Sequence, residues 1–447
     1  MSGAYLLLSG ETVGTGRPLQ WPLNVMPGGY IGDATGYRQM VFNSDFPLLN
    51  RWYYDEAEAR RGVLATKRAK FHGSRILHLI ARDGDAPPTT NPHDYWYQRE
   101  VGKENARATL VPALRFMRDN GLLVILSAGH EYKDKNDDYA WWEELTRIIR
   151  DGDVVNAIAG AEALGNEVGV NRGWLANDTA AAMEYVKPIH EIIRRNLPGV
   201  LISNGDFGNE EDVPHPDGDP ENPGRVFDPK LPTLCSSSVG ADLIDSHPRR
   251  SHDGTGVRYP HTIWNATHYF GTCRKPLNLG EEPGENHPYP ENREGWPRNF
   301  GGDVYVGNDN PHYLHTRLAI GVVTGSLVVY LNGPGVRRFV PLDSTTYFHK
   351  IVDSLAPIPD DIPTWRDGNN PSWWMRGKEF VYVGLEAWGQ VYRPPRPVAT
   401  WAVYDIHGLV KQGVGPKPLP ATTAEDVPKD QQLPAGWLGG ILKGEFA

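Results

Sequence analysis

Two spacings of apolar residues alternate along the chain. Within residues 104–120, Ala106, Leu110, Ala113, Leu114 and Met117 recur every three to four positions, the stripe of a helix lying on a core, and Gly121 supplies its stop. Within residues 138–150, Trp141, Leu145, Ile148 and Ile149 repeat the stripe behind an Asp suited to the N-cap. Between such helices lie short, nearly unbroken apolar runs at 76–81, 122–127, 161–165, 200–203, 241–245, 276–280 and 327–331. Strands buried on both faces read this way, as they do in parallel sheets covered by helices. A run at 19–24 is placed first, ahead of a Gly-rich segment and a helix that starts near Asp55. Eight strands alternating with helices predict an α/β fold, a closed (β/α)8 TIM barrel.

The pattern changes after a helical stripe at 345–355. A Pro-rich stretch at 357–371 is followed by strand-like runs at 379–385 and 399–405, and from Gly413 onward Pro and Gly recur without period. The expected organisation is a barrel over 1–356, a Pro/Trp-rich linker over 357–376, and a small β-rich C-terminal unit over 377–447 ending in a Pro/Gly-rich tail.

Composition narrows the function classes. With 45 Lys plus Arg against 55 Asp plus Glu, the formal net charge is -10, so no basic field attracts a phosphate backbone and no nucleic-acid partner is expected. The 14 Trp and 20 Tyr suit stacking on sugar rings, although aromatic side chains also fill cores. The only cysteines, Cys235 and Cys273, cannot build a disulfide framework or a four-thiolate metal site, and whether they pair is open. Residues 1–8 lack a basic n-region, and no apolar run reaches the ~18 residues a span requires. Neither a signal peptide nor a membrane partner is expected, which leaves a cytoplasmic place, or a virion-associated or secreted one reached by another route. Oligomeric state is not set by these features.

In a barrel of this type chemistry sits on the loops after the strands. The run that ends at Gly165 is followed by Asn166 and Glu167, and the run that ends at Gly280 by Glu281 and Glu282. Strands 4 and 7, which precede them, face each other across the barrel mouth. Retaining cleavage of a glycosidic bond needs two carboxyl groups about 5 Å apart, one to protonate the leaving group and one to attack the anomeric carbon. Glu167 is assigned as acid/base and Glu281 as nucleophile, with Glu282 the competitor for that role and Asn166 a donor to a sugar hydroxyl. A second Gly-Asn-Glu at 208–210 lies too far past its strand and is read as a decoy. His130 and Glu131 have no second His at helical spacing, and neither a phosphate-binding loop nor a Gly-x-Ser-x-Gly elbow is present, so no metal or cofactor is expected.

Asn166, Glu167 and Glu281, with Gly16, Arg17, Pro18 and Leu19 leading in, resemble the clan A glycoside hydrolases, most closely family 5, the cellulase and mannanase group. The resemblance spans roughly residues 15–355. It implies pocket roles for His130 after strand 3 and His247 after strand 6. It departs at strand 2, where His78 stands in the place the family gives to an Arg that supports the nucleophile, and after strand 8, where Tyr330 stands near the family's Trp. His78 and Tyr330 are therefore carried as substrate-binding candidates, with Trp96, Trp174 and Trp296 as sugar platforms on loops. The implied function is a retaining hydrolase of β-linked oligo- or polysaccharides. The alternative is a carbohydrate-binding or attachment protein that keeps the barrel without turnover.

Overall fold

The computed structural model describes residues 17–27, 29–44, 48–76, 103–127, 135–165, 179–205, 238–246, 273–282, 318–319, 321–323, 325–330, 352–358, 366–367, 370–384, 396–405, 408–414 and 440–447. A short antiparallel hairpin, β1 (Asn24–Met26) and β2 (Tyr30–Gly32), precedes the barrel. Then follow β3 (Val41–Ser44), α1 (Leu48–Tyr54), α2 (Glu56–Arg68), β4 (Gly73–Ile76), α3 (Lys103–Asp119), β5 (Leu123–Ser127), α4 (Lys135–Asp151), β6 (Ile158–Glu162), α5 (Thr179–Asn196), β7 (Leu201–Ser203), β8 (Ile244–Ser246), β9 (Leu277–Glu282) and β10 (Leu327–Tyr330). The eight strands β3 to β10 pair in parallel in the order β7-β6-β5-β4-β3-β10-β9-β8. The two edges of this sheet meet: the amides of Asp242 and Leu243 donate to the Ile202 carbonyl at 2.7 and 3.0 Å, and Ser203 Oγ lies 3.1 Å from Asp245 Oδ2. The sheet thus closes, and the fold is a (β/α)8 barrel.

The first barrel strand is β3, not the run at 19–24. That run is apolar because it plugs the barrel's N-terminal mouth. Leu19 and Leu23 are buried with Ile31, Tyr37 and Met40 against the inward residues Phe42, Leu123, Ile125, Leu201, Leu243 and Leu327. Trp21 Nε1 anchors the plug by donating to the Ile158 carbonyl at 2.9 Å. The helices pack as their stripes predict, with Leu110, Leu114, Met117, Trp141 and Leu145 buried over Val124, Leu126 and Ile202. Each such side chain contributes about 1.5–3 kcal/mol of burial. Asp55 caps α2 by accepting from the Glu58 amide at 3.0 Å. Gly121 ends α3 at φ 74°, and the Leu122 amide returns to the Met117 carbonyl at 3.0 Å, a Schellman-type closure that favours glycine.

The C-terminal unit is an antiparallel sheet of β11 (Arg366–Asp367), β12 (Asn370–Arg376), β13 (Glu379–Gly384), β14 (Val398–Asp405), β15 (Gly408–Val414) and β16 (Gly440–Phe446), in the order β11-β12-β13-β16-β14-β15. Phe380, Tyr382, Val403, Leu442 and Phe446 form its core, with the Phe380 and Phe446 rings 4.6 Å apart. Two expectations change here. Residues 366–367 and 370–376 belong to the sheet rather than to a linker, and the end of the chain returns as β16 between β13 and β14. Among the described residues no helix is long and apolar enough to cross a membrane.

Candidate active site

Along the barrel axis the interior changes character. Above the apolar layer of Phe42, Leu123, Ile125, Leu201, Leu243 and Leu327, the inward positions are Arg75 on β4, Glu162 on β6, Ser203 on β7, Asp245 on β8 and Asn278 on β9, all buried. Arg75 and Glu162 are both 0% exposed and pair in the bidentate manner, Nε to Oε1 at 2.8 Å and NH2 to Oε2 at 2.6 Å. Arg75 NH1 also donates to the Gly280 carbonyl at 3.1 Å. Asn278 Nδ2 lies 3.0 Å from Glu162 Oε1 and 3.0 Å from Asp245 Oδ2, which in turn accepts from Ser203. One guanidinium and two carboxylates are thereby held by protein partners in the barrel's upper half.

Burying charge this way costs stability unless each group is paired and hydrogen-bonded, and replacing such a pair by packed apolar residues is often neutral or stabilising. The layer lies directly under the strand ends from which Asn166, Glu167 and Glu281 continue.

The strand 4 exit is tightly specified. Beyond β6 the backbone continues alongside β7, the Ala163 amide donating to the Ser203 carbonyl at 2.8 Å and the Leu164 amide to the Asn204 carbonyl at 3.1 Å. It then turns at Gly165, φ 88°, immediately before Asn166. A Cβ at Gly205, itself at φ 93°, would stand 2.0 Å from the Gly165 carbonyl oxygen. Both positions require glycine, and together they set the direction in which the chain leaves toward Glu167.

The strand 7 exit is irregular. β9 pairs with β10 through Val328 with Leu279 and then Tyr330 with Glu282, so two steps on β10 match three on β9 and one extra residue is inserted near Gly280 and Glu281. The backbones of Glu281, Glu282 and Tyr330 are thus placed in β9 and β10. Glu167, Asn166, His130, His247, His78, Trp96, Trp174 and Trp296 lie outside the described residues.

The departure read at His78 is corrected. β4 spans Gly73–Ile76, so the arginine of strand 2 is Arg75, three residues before His78, and it reaches the strand that carries Glu281. Sequence reasoning misses Arg75 and Glu162 although a signal for both is present. An Arg inside a buried strand requires a carboxylate partner, and Ala161-Glu162-Ala163 offers one in an otherwise apolar run. Cys273 is disulfide-bonded, and Cys235 is the only other cysteine in the chain. Among the described residues no group of three or more His, Cys, Asp or Glu is placed to hold a metal ion.

No family model matches the sequence, and no curated protein matches it. Solved structures do. A glycoside hydrolase family 5 structure from Bacteroides vulgatus ATCC 8482 superposes with a TM-score of 0.54 at 12% identity, over 95% of this chain and 93% of that one. The two chains share a fold over that length. An exo-beta-1,4-mannosidase, Op5Man5, from Opitutaceae bacterium strain TAV5 aligns with 74% of this chain at a TM-score of 0.45 and 14% identity, and this chain spans 62% of its length. The likeness to the Bacteroides vulgatus structure is one of fold, at an identity that leaves chemistry to be argued from the residues.

Proposed function

We propose that the chain is a retaining glycoside hydrolase acting on β-linked oligo- or polysaccharides, with Glu167 as acid/base and Glu281 as nucleophile. The observation that carries this reading is the buried layer around Arg75 and Glu162, which links strands 4 and 7 immediately beneath the residues that lead to these two acids. The mechanism uses no cofactor. The Glu167 carboxylic acid protonates the departing glycosidic oxygen while the Glu281 carboxylate attacks the anomeric carbon. Water, deprotonated by Glu167, then releases the sugar with its configuration retained.

The extra residue on β9 favours Glu281 over Glu282. An even strand would put Glu282 on the face of Asn278, and the inserted residue breaks that alternation before Glu282 is reached. The Gly280 carbonyl held by Arg75 NH1 supports the same choice, because it fixes the peptide just before Glu281. The non-catalytic alternative draws on the absence of a strand 2 arginine and on unusual loops after the strands, and Arg75 removes the first of these supports. The disulfide at Cys273 suits an oxidising compartment as the place of action.

A panel of β-glucan, mannan, xylan and aryl β-glycosides, read for reducing sugar and aglycone, tests the reading. Glu281→Gln is expected to lose turnover on every substrate. Glu167→Gln should lose about 10²- to 10⁴-fold on natural glycosides, yet keep a measurable first step on nitrophenyl glycosides. Azide should partly rescue Glu167→Ala and give a product of retained configuration. A wild type inert on the whole panel sinks the hydrolase reading.

A further inference from the structure

The two candidate acids leave strands that are not neighbours. In the barrel order β6 and β9 are separated by β7 and β8 on one side and by β5, β4, β3 and β10 on the other, so no backbone pairing fixes their separation directly. Side chains do. Glu162, five residues before Glu167, accepts from Asn278, three residues before Glu281, at 3.0 Å. Asn278 makes a second contact with Asp245 of β8, also at 3.0 Å. Glu162 is in turn held by the Arg75 fork, so its carboxylate cannot follow a drifting β9.

We propose that the Asn278–Glu162 bond is a cross-barrel tie that sets the spacing of the two acids, which makes Asn278 a positioning residue of the reaction. The proposal rests on the hydrolase reading. Its physical content is the narrow tolerance of the chemistry. Retaining enzymes work with carboxyl groups about 5–5.5 Å apart, inverting ones with about 6.5–9.5 Å, and a displacement of about 1 Å can cost on the order of 10²-fold in rate. A buried hydrogen bond between opposite strands removes that freedom where it matters, a few residues below each acid.

Two variants test the tie. Asn278→Leu, close in shape, deletes the bond without adding charge. Glu162 keeps the Arg75 fork and Asp245 keeps Ser203. Its kcat is expected to fall about 10- to 100-fold with KM within about threefold of wild type, in a chain whose circular dichroism is unchanged. In Asn278→Asp the new carboxyl faces the carboxylates of Glu162 from β6 and Asp245 from β8 and the guanidinium of Arg75 from β4, with Glu281 and Glu282 further along its own strand. Like charges at that distance raise its pKa. When protonated it can still donate to Glu162, and when ionised it cannot. The Asn278→Asp kcat, divided by that of wild type at each pH, should therefore rise as pH falls, a limb that a packing role would not produce. Hydrogen exchange of the amides at 279–282, expected to quicken in Asn278→Leu, reads the tie without turnover. Wild-type kcat in Asn278→Leu and a flat ratio in Asn278→Asp overturn the proposal and leave the hydrolase reading standing. If wild type turns over no glycoside, the hydrolase reading falls instead, and unchanged exchange at 279–282 would overturn the tie on its own.

Discussion

The lower and upper halves of the barrel interior follow opposite rules. Below, Phe42, Leu123, Ile125, Leu201, Leu243 and Leu327 interlock over a plug made by Leu19, Trp21 and Leu23, and apart from the Trp21 bond to the Ile158 carbonyl the contacts there are apolar. Above, Arg75, Glu162, Asp245, Asn278 and Ser203 are equally buried, yet each polar atom that bonds does so at a set distance and angle to a named partner. The lower half gains free energy from water exclusion and tolerates substitution by shape. The upper half buries charge, whose desolvation cost pairing offsets, and it does so at the end of the barrel where the loops after the strands begin.

The strongest way to break that contrast is to remove half of the ion pair. Glu162→Ala leaves the Arg75 guanidinium buried without its carboxylate and is expected to cost about 3–5 kcal/mol in urea unfolding. The double variant R75M/E162L fills the same space with apolar atoms and should recover most of that loss while glycosidase activity stays low. Recovery of both stability and activity would show the upper layer to be ordinary core.

A truncation in the lower half should have the reverse profile. Leu123→Ala opens a cavity among packed side chains and is expected to cost about 2–5 kcal/mol, with kcat unchanged at temperatures where the chain is folded. A fall in kcat comparable to that of the upper-layer variants would join the two halves into one functional unit.

The disulfide at Cys273 enters strand 7 from below, four residues ahead of Leu277. If the lower end serves stability alone, Cys273→Ser should cost about 2–4 kcal/mol, chiefly through the unfolded chain, and leave kcat and KM as they were. Thermal melts with and without reductant check the first part, and steady-state kinetics the second.

The same division explains what can be read from the chain. Helices are legible because their buried faces are apolar at a fixed period, as with Leu110, Leu114 and Met117. Strand 3 is legible because β5 is Leu-Val-Ile-Leu-Ser, apolar on both faces. Strands 1 and 2 are not. β3 ends in Asn43 and Ser44 and β4 carries Ser74 and Arg75, because the two pack outward through polar contacts: Ser74 Oγ donates to Asn43 Oδ1 at 2.6 Å, and Asn43 Nδ2 to Thr66 Oγ1 at 3.2 Å. With that polarity the apolar signal slides forward to 76–81 and backward to 19–24, and the strand 2 arginine is misplaced to the position of His78. The order of the acids is insensitive to the slip, since Asn166-Glu167 and Glu281 are located by the C-terminal end of a strand rather than by its first residue. The Arg75–Glu162–Asn278 layer cannot be read from periodicity, because its meaning lies in pairing between strands far apart in sequence.

The smallest effect expected tests the outer side of the upper half. His190 on α5 is buried, with Nε2 2.6 Å from Oδ1 of Asn204, the residue before Gly205. Burial pushes its pKa below the usual histidine value, and the neighbouring Arg194 and Lys275 push the same way; the bond to Asn204 and the charge of Asp242 oppose them without prevailing. The folded chain therefore holds this imidazole neutral at a pH where the unfolded chain, with an ordinary pKa of about 6.5, already takes up a proton. The stability this contributes is complete above about pH 6.5 and is lost as pH falls from there through the folded value, at no more than about 1.4 kcal/mol per pH unit for one proton. His190→Gln keeps a donor for Asn204 but does not titrate, so its melting temperature should decline less steeply between about pH 6.5 and 5 than that of wild type. The bond to Asn204 Oδ1 survives protonation, because both ring nitrogens of the imidazolium donate, so the loss with acid is the cost of placing a charge in a buried site beside Arg194 and Lys275. Identical pH slopes in the two proteins would remove His190 from the account of acid stability.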